Sequence, residues 1–222
     1  MNLIIDIQPW TLFRFILSFY LLCMVAGLIL GRFGLLDIKR VASWSRRLQF
    51  VYSPIMPLRN YYRGVRNRIL IKKRIRLLSV MIFLNNFILA LLYSKIALGV
   101  IPFLPLLLLF FTGLGQGTVL AKHPAAALSP LLFLEFGGYV FGATIGVALS
   151  LSIVYSLIFW DISHFTLFLT SMKLFMPWAI AFLLAGAIIE SLFLRMMPIP
   201  DGTTPEELQK RMEAARQDIT GN

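Results

Sequence analysis

Two carboxylates lie within long stretches that are otherwise uncharged, Glu135 in residues 128–160 and Glu190 in residues 178–193. An ionised side chain at membrane depth costs roughly 2.5 to 3.5 kcal/mol on insertion scales, so each carboxylate must face protein or water, carry a proton, or have a partner. Two carboxylates close together in a low dielectric do not both ionise easily, so such a pair holds or shares a proton or a cation. The chemistry that these residues offer is therefore proton or cation binding, or a buried hydrogen-bonded network.

Three amide side chains fall at a similar depth in neighbouring apolar stretches. Asn85 and Asn86 lie near the middle of residues 77–97, and Gln116 lies near the end of residues 101–121. Amides of this kind ordinarily hold a helical bundle together by interhelical hydrogen bonds. At about 1.5 Å of rise per residue, the amides and carboxylates fall in the cytoplasmic half of the membrane, as a sealed network or as the lining of an open vestibule. The predicted members of this polar intramembrane cluster are Asn85, Asn86, Gln116, Glu135 and Glu190.

Five apolar stretches position these groups, and about 20 apolar residues are enough to span the hydrocarbon of a bilayer. Hydrophobic residues make up 59% of the chain and charged residues 14%, which is typical of membrane proteins. We predict an all-α, polytopic helical membrane protein with about five transmembrane helices plus interfacial helices. The predicted transmembrane stretches are residues 11–30, 77–97, 101–121, 128–160 and 178–193.

The composition divides the chain into four regions. They are a first transmembrane helix in residues 1–31, a basic cytoplasmic or interfacial segment in residues 32–76, a four-helix membrane core in residues 77–197, and a cytoplasmic tail with a short helix in residues 198–222. In the tail, Thr204 and Glu207 have the spacing of a capping box, and Pro205 suits the first helical position. We expect the apolar side of this short helix, which includes Leu208, to dock on another surface.

Glycines at four-residue spacing predict close packing between helices. The glycines concerned are Gly27, Gly31, Gly113, Gly117, Gly138, Gly142 and Gly146. Around Gly113 and Gly117 we also expect local unwinding. The last three form a stripe along residues 128–160 that predicts very close backbone approach. A single tilted helix explains that stretch best, and a half-helix that bends at Gly137 and Gly138 is the alternative.

The positive charge is concentrated in one segment. Thirteen of the 21 Lys and Arg residues lie between Arg32 and Arg76, and Asp37 is the one acid among them. The positive-inside rule then predicts a multi-pass protein of the cell membrane with its N-terminus outside and its C-terminus cytoplasmic, which leaves Lys95 in an outer loop. Apolar residues at helical spacing in 41–51 and 61–71 predict interfacial helices on the anionic lipids of the inner leaflet, with a docking surface for an acidic partner as the alternative. No recognition motif that would indicate nucleic acid accompanies the charge.

The sequence offers no arrangement typical of an enzyme. Its one cysteine, Cys23, excludes an intramolecular disulfide and a thiolate metal cage. Asp161, Ser163 and His164 lie too close together in the sequence for a catalytic triad, and we expect them in a surface loop. Without a metal cluster or a nucleotide loop, we predict no catalysis, no cofactor and no metal.

Residues 81–194 resemble a known family. The segments FLNNFILALL, GVIPFLPLLLLFFTGLGQG, FLEFGGY and AGAIIESLFL look, in order and spacing, like those of the stage II sporulation protein M family of integral membrane proteins. By this resemblance the family's signature corresponds to Asn85, Asn86, Gly113, Gly117, Pro124, Glu135 and Glu190. The resemblance implies a scaffold that recruits other proteins, and family members are also discussed beside ABC-type transporter components.

We therefore expect an integral membrane scaffold or a partner subunit of a membrane complex. Other membrane proteins are its expected partners, and the sequence leaves a homo-oligomer open. The alternative is a proton- or cation-coupled transporter, or the membrane component of an ABC-type transporter, that uses Glu135 and Glu190. A sealed network around the carboxylates favours the scaffold, and a wet site favours the carrier.

Overall fold

The computed structural model describes residues 7–37, 40–41, 43, 53–124, 129–196, 199, 203–208, 210–211 and 214, with the backbone alone at Glu135. This part of the chain is helical and contains no strand. Five of its helices are long and apolar enough to cross a membrane. The prediction of an all-α polytopic membrane protein is confirmed.

Six long helices form the described part of the fold. They are α1 (Pro9–Arg32), α2 (Met56–Ile71), α3 (Ile75–Val100), α4 (Leu104–Lys122), α5 (Pro130–Phe159) and α6 (Phe165–Met196). All except α2 are candidate membrane spans. The span α3 changes character along its length, from α-helix in Ile75–Asn85 to π-helix in Asn86–Ile96 and 3-10 helix in Ala97–Val100.

Prolines mark where four of these helices begin. Pro9, Pro57, Pro105 and Pro130 each occupy the first turn of a helix, where the missing N–H donor costs least. Pro177 behaves differently, because it lies inside α6 instead of opening the last span at residue 178. The last membrane helix is therefore longer at its N-terminal end than the sequence predicted.

Two further expectations concern the continuity of helices. α5 runs without a break through Gly137 and Gly138, as the single-helix interpretation predicts, so the half-helix alternative is dropped. α4 is also continuous through Gly113 and Gly117. The local unwinding predicted there is wrong, because close packing against α1 needs the small glycine residues but no break in the helix.

Glycines on both helices let α1 and α4 approach closely. The backbone of Gly117 lies against the carbonyl of Met24, and the backbone of Gly27 lies against the carbonyl of Leu114. A Cβ at Gly31 would lie 3.0 Å from the Cβ of Ala121. Gly113 lies against Tyr20 and Cys23, Gly117 against Met24 and Leu28, and Gly31 against Thr118 and Ala121, so residue numbers rise together and α1 and α4 run parallel. Parallel packing is what the first and third of five consecutive spans require.

The stripe of Gly138, Gly142 and Gly146 does not face a single neighbour. A Cβ at Gly138 would lie 2.7 Å from a methyl carbon of Leu183 on α6, whereas Gly142 and Gly146 lie against α3. Positions four residues apart rotate by about 40° around an α-helix, so the stripe drifts from one partner helix to the other. Only Gly146 meets a neighbouring backbone directly, at the carbonyl of Lys95.

Helix α2 is docked on the bundle by its apolar side. Ile69 and Leu70 are buried and pack with Leu78 and Ile82 of α3 and with Leu208 of the tail. The predicted capping box is present, since the N–H of Thr204 donates to Glu207 Oε2 (3.0 Å) and the N–H of Glu207 donates to Thr204 Oγ1 (3.2 Å). The interfacial helix predicted in residues 41–51 falls largely outside the described residues.

Candidate functional site

The two adjacent asparagines sit where α3 changes from α-helix to π-helix. Asn85 ends the α-helical part and Asn86 begins the π-helical part. The Asn85 Nδ2 atom donates a hydrogen bond to Asn86 Oδ1 at 3.1 Å. Long π-helical stretches are rare and often accompany functional sites. The asparagines thus satisfy part of each other's hydrogen-bonding needs within one helix.

Gln116 lies on α4, one residue before the packing glycine Gly117. Its side chain is half-buried, and its Oε1 atom is buried and accepts no hydrogen bond from the described residues. A buried amide oxygen without a donor costs about 1 to 3 kcal/mol. Gln116 is therefore a polar group of the predicted cluster that the described contacts leave unsatisfied.

Glu190 lies near a cation of the basic segment, outside the predicted cluster. Its charge interacts with that of Arg66 on α2. Burial lowers the pKa of the Arg66 guanidinium, while the charge of Glu190 raises that pKa and the charge of Arg63 lowers it. Next to Glu190, the hydroxyl groups of Ser191 and Ser79 lie 2.6 Å apart and join α6 to α3. The carboxylate thus lies where α2, α3 and α6 meet.

Arg66 itself has few other partners. Its Nη2 atom donates a long hydrogen bond of 3.5 Å to Asn67 Oδ1, and its Nε atom is buried without a hydrogen bond in the described part of the chain. Asn67 is 1% exposed, so the side chains around this arginine are withdrawn from water. The sequence contains many arginines between Arg32 and Arg76 and gives no sign that Arg66 is the one that approaches Glu190.

Lys95 lies within a membrane helix and not in the loop predicted from the sequence. It lies in the π-helical part of α3 and is only 4% exposed, so its assignment to an outer loop is wrong. Its backbone and side-chain stem pack against α5, where a Cβ at Gly142 would lie 3.2 Å from Lys95 Cβ. Residue 95 falls inside the predicted span 77–97, and this position already indicated a place within the membrane.

The ammonium of Lys95 lies over an aromatic ring. Its Nζ atom is 5.7 Å from the ring centroid of Tyr139 on α5. A cation at this distance from a ring face is attracted by about 0.5 to 2 kcal/mol, more when it is shielded from water. Within the described residues, this is the one polar contact of the ammonium, and it compensates only part of the cost of burying a charge.

Glu135 lies on the same helix as Tyr139, one turn closer to the start of α5. Helical periodicity places positions 135, 139 and 142 along one face of α5. Its side chain lies outside the described part of the chain. The described members of the predicted cluster thus take part in separate interactions, one between the two asparagines and one between Glu190 and Arg66.

The loop between α5 and α6 carries Asp161, Ser163 and His164 as a surface turn. Asp161 accepts hydrogen bonds from the N–H of Ser163 (2.8 Å) and from its hydroxyl (2.5 Å). Both bonds lower the pKa of the exposed Asp161 carboxyl, and the bond from the Ser163 hydroxyl has the larger effect. The carboxylate caps the turn before α6. No group of three or more His, Cys, Asp or Glu side chains that could hold a metal ion occurs among the described residues.

No family model, no curated protein and no solved structure matches this chain. The function is therefore argued from the geometry of the bundle. Two features of that geometry stand out, namely a basic helix held against the end of the bundle and a buried lysine within it.

Proposed function

We propose that this chain is an integral membrane scaffold, or a partner subunit of a membrane complex, that presents the basic helix α2 at one face of the membrane. The observation that carries the proposal is the docking of α2. Its apolar side packs on α3 and on the tail, and the charge of Arg66 lies near enough to that of Glu190 on α6 to interact with it. Apolar packing and this electrostatic attraction together hold α2 in place. Its remaining side chains are therefore presented in a defined arrangement.

The outward side of α2 and of the turn after it is basic and partly apolar. Leu58 and Tyr61 are 39% and 67% exposed. The exposed basic side chains here are Arg68, Lys72, Lys73, Arg74 and Arg76. Each basic residue near an anionic membrane surface contributes about 1 kcal/mol of attraction, and an acidic protein surface attracts the same groups. Anionic inner-leaflet lipids and the acidic surface of another membrane protein are the partners that suit this side.

Charges at the ends of the spans support a cytoplasmic location for α2. Arg32, Lys122 and Arg195 lie at the same end of the bundle as α2, and Lys122 forms a 2.8 Å ion pair with Asp37. By the positive-inside rule, this end faces the cytoplasm of a cell-membrane protein, with the N-terminus outside. The resemblance to the stage II sporulation protein M family, whose members look like scaffolds, agrees with this role.

Cysteine labelling of intact cells tests the orientation. In a Cys23→Ser background, Tyr61→Cys should resist a membrane-impermeant thiol reagent, and Trp160→Cys at the opposite end should react. Both positions are well exposed, at 67% and 91%, so access across the membrane decides the result. Labelling of Tyr61→Cys but not of Trp160→Cys in intact cells would reverse the proposed orientation.

Co-purification in mild detergent tests the scaffold role. We expect specific membrane-protein partners to be recovered with the wild-type chain, and the Arg68→Glu/Lys72→Glu variant to lower their recovery at least tenfold, because the loss of two attractions of about 1 kcal/mol each already exceeds the roughly 1.4 kcal/mol of a tenfold change. The matched control is Lys210→Glu/Arg211→Glu, which reverses two exposed charges of the tail and should retain the partners. Quantitative mass spectrometry measures the recovery.

The alternative, a proton- or cation-coupled transporter or an ABC-type membrane component, draws its support from the charged groups within the spans. It predicts flux across proteoliposomes that disappears in Glu135→Gln or Glu190→Gln. Such flux, together with equal partner recovery from the wild-type chain and the α2 variant, would contradict the scaffold proposal.

A further inference from the structure

The helices α5 and α6 extend further than α3 and α4 at the end of the bundle opposite α2. The hydroxyl of Ser150 donates to the carbonyl of Gly99 (2.8 Å), next to the last residue of α3. A Cβ at Gly146 would lie 3.1 Å from Pro105, in the first turn of α4. From Ser150, α5 continues for about nine more residues, or roughly 13 Å. Residues 151–168, here called the outer hairpin, therefore stand beyond the described ends of α3 and α4.

The tip of the outer hairpin is apolar and exposed. Its large exposed apolar side chains are Leu157 (66%), Ile158 (61%), Phe159 (55%), Trp160 (91%) and Ile162 (80%). A buried aromatic side chain covers about 150 to 250 Å², so these five present a surface on the order of 700 Å². The largest apolar patch on a typical monomer covers about 300 to 600 Å² and is often functional. Either lipid or protein therefore covers this tip.

Exposed basic side chains on the spans mark where the hydrocarbon of the bilayer lies. Arg14 on α1 and Lys173 on α6 are exposed, and their side chains lean toward the N-terminal ends of these helices, where they reach the outer membrane surface. Arg32 and Arg195 are exposed near the inner ends of the same two helices. Along the helix axes, these cations are about 27 Å apart on α1 and about 33 Å apart on α6. Both distances fit a hydrocarbon core of about 30 Å.

With the bilayer placed in this way, the tip lies outside it. The hydroxyl of Ser152 donates to the carbonyl of His164 (2.9 Å), and residue numbers on α6 fall as those on α5 rise. Lys173 is therefore level with about residue 143 of α5, and the tip stands about 24 Å further out. The headgroup layer adds only about 5 to 8 Å on each side of the hydrocarbon. Even a Lys173 side chain that reaches outward by about one helical turn, or 5.4 Å, leaves the tip beyond the lipid.

A bundle placed further inward, with lipid around the tip, conflicts with side chains at both ends. It draws Arg14 and Lys173 deep into the hydrocarbon, where a charged group is costly. It also moves exposed apolar side chains near the inner end, such as Ile29 and Leu192, into water. The placement that suits both the charged and the apolar side chains leaves the tip to be covered by protein.

A second copy of this chain is the protein that fits the tip. Copies in one membrane share an orientation, so their outer hairpins stand at the same height and meet side by side. Residues 151–168 carry a single formal charge, at Asp161, which accepts a hydrogen bond from the N–H of Ser163 (2.8 Å). The exposed side of α2 is strongly basic, so two copies repel each other there. A standard interface buries about 800 Å² on each partner, close to the apolar area of the tip.

We propose that the outer hairpin is a dimerisation surface outside the bilayer, on which the apolar tips of two copies pack around an axis along the membrane normal. The dimer goes beyond the scaffold role, since it uses the end of the bundle opposite α2. It also presents two α2 helices at the other face, which raises avidity for a partner without any new contact. Trp160→Cys removes the largest side chain of this surface, so a thiol there stays reachable by a labelling reagent.

Energy transfer between labelled copies tests the dimer in vesicles of phosphatidylcholine and phosphatidylglycerol. Donor and acceptor dyes are attached at Lys210→Cys in a Cys23→Ser background, and the mixed copies are diluted with lipid. Transfer should persist on dilution. Ile162→Asp should weaken association at least tenfold, because symmetry places two carboxylates in one apolar interface. The matched control is Ile101→Asp, which changes an exposed isoleucine between α3 and α4 and should leave transfer unchanged.

Three results would overturn the dimer. They are transfer that falls to the level of random encounters on dilution of the wild-type hairpin, equal transfer in the wild type and Ile162→Asp, and equal losses in Ile162→Asp and Ile101→Asp. Circular dichroism checks that Ile162→Asp keeps its helix content. Leu157→Asp, at the same tip, is a second variant with the same expected loss, so the test does not depend on the folding of one variant.

Fluorescence quenching separates a protein-covered tip from a lipid-covered one. The chain has four tryptophans. A variant that keeps Trp160 alone, with phenylalanine at the other three positions, should be quenched several-fold less by lipids with brominated acyl chains than a variant that keeps Trp178 alone. Trp178 is 53% exposed on α6 and lies within the hydrocarbon part of that helix. Equally strong quenching of Trp160 would place the tip in lipid and overturn the proposal.

Discussion

Replacing Gly117 by alanine should lower Tm by roughly 5 to 10 °C in detergent. A Cβ at this position would meet the carbonyl of Met24 and would lie 2.6 Å from the N atom of Leu28. Both are backbone atoms of α1, so no side chain can move aside and the two helices must separate. Overpacking of this kind costs about 1 to 3 kcal/mol, and more where backbone is displaced.

Gly115 provides a control on the same helix. A Cβ there would approach only a methyl carbon of Val41, at an ordinary 3.7 Å. Since alanine favours a helix over glycine by about 0.8 to 1 kcal/mol, Gly115→Ala should leave Tm unchanged or raise it slightly. Equal Tm values for the two variants would show that α1 and α4 do not approach through their backbones at Gly117.

Glu190→Gln should destabilise the protein, even though glutamine keeps the shape and hydrogen-bonding groups of the side chain. The change removes the negative charge near Arg66 and leaves a half-buried guanidinium uncompensated. Breaking a fully buried pair costs about 3 to 5 kcal/mol. Because both side chains are only half-buried, we expect about 1 to 3 kcal/mol, or a fall in Tm of roughly 3 to 8 °C.

The double variant Arg66→Gln/Glu190→Gln separates this electrostatic effect from a local packing effect. It removes both charges together and should recover most of the lost Tm. Glu206→Gln, a change at an exposed glutamate of the tail, controls for the loss of a negative charge near the same face and should cost much less. A Tm for Glu190→Gln equal to that of the wild-type protein would show that Glu190 needs no ionic partner.

The scaffold proposal depends on the second of these predictions. If Glu190 stabilises the docking of α2, the variant that loses Tm should also lose partner recovery, because the basic side of α2 is then less well fixed. A carrier would instead keep its fold in Glu190→Gln and lose flux. Glu190→Gln thus lowers Tm and partner recovery if the chain is a scaffold, and abolishes flux if it is a carrier. Glu190 is therefore the most informative single position for function.

The sequence by itself determined the five spans. Length and apolar composition predicted five membrane helices, because the bilayer demands about 20 apolar residues for each crossing. Local chemistry also sufficed for the capping box of Thr204 and Glu207, since these interactions lie within a few residues of each other. Glycine spacing correctly indicated close helix packing at Gly117, but not that α1 is the partner.

Only the tertiary structure decided which polar groups meet. The approximate depth of Asn85, Gln116 and Glu190 follows from counting residues along helices, but depth leaves open the direction that each side chain takes around its helix. Glu190 comes near the charge of Arg66 because α2 folds back against α3, and this brings together residues far apart in the sequence. Lys95 is buried because the π-helical stretch and the glycines of α5 give its stem a place between two helices. Such contacts depend on helix order and register, which periodicity within one stretch does not encode.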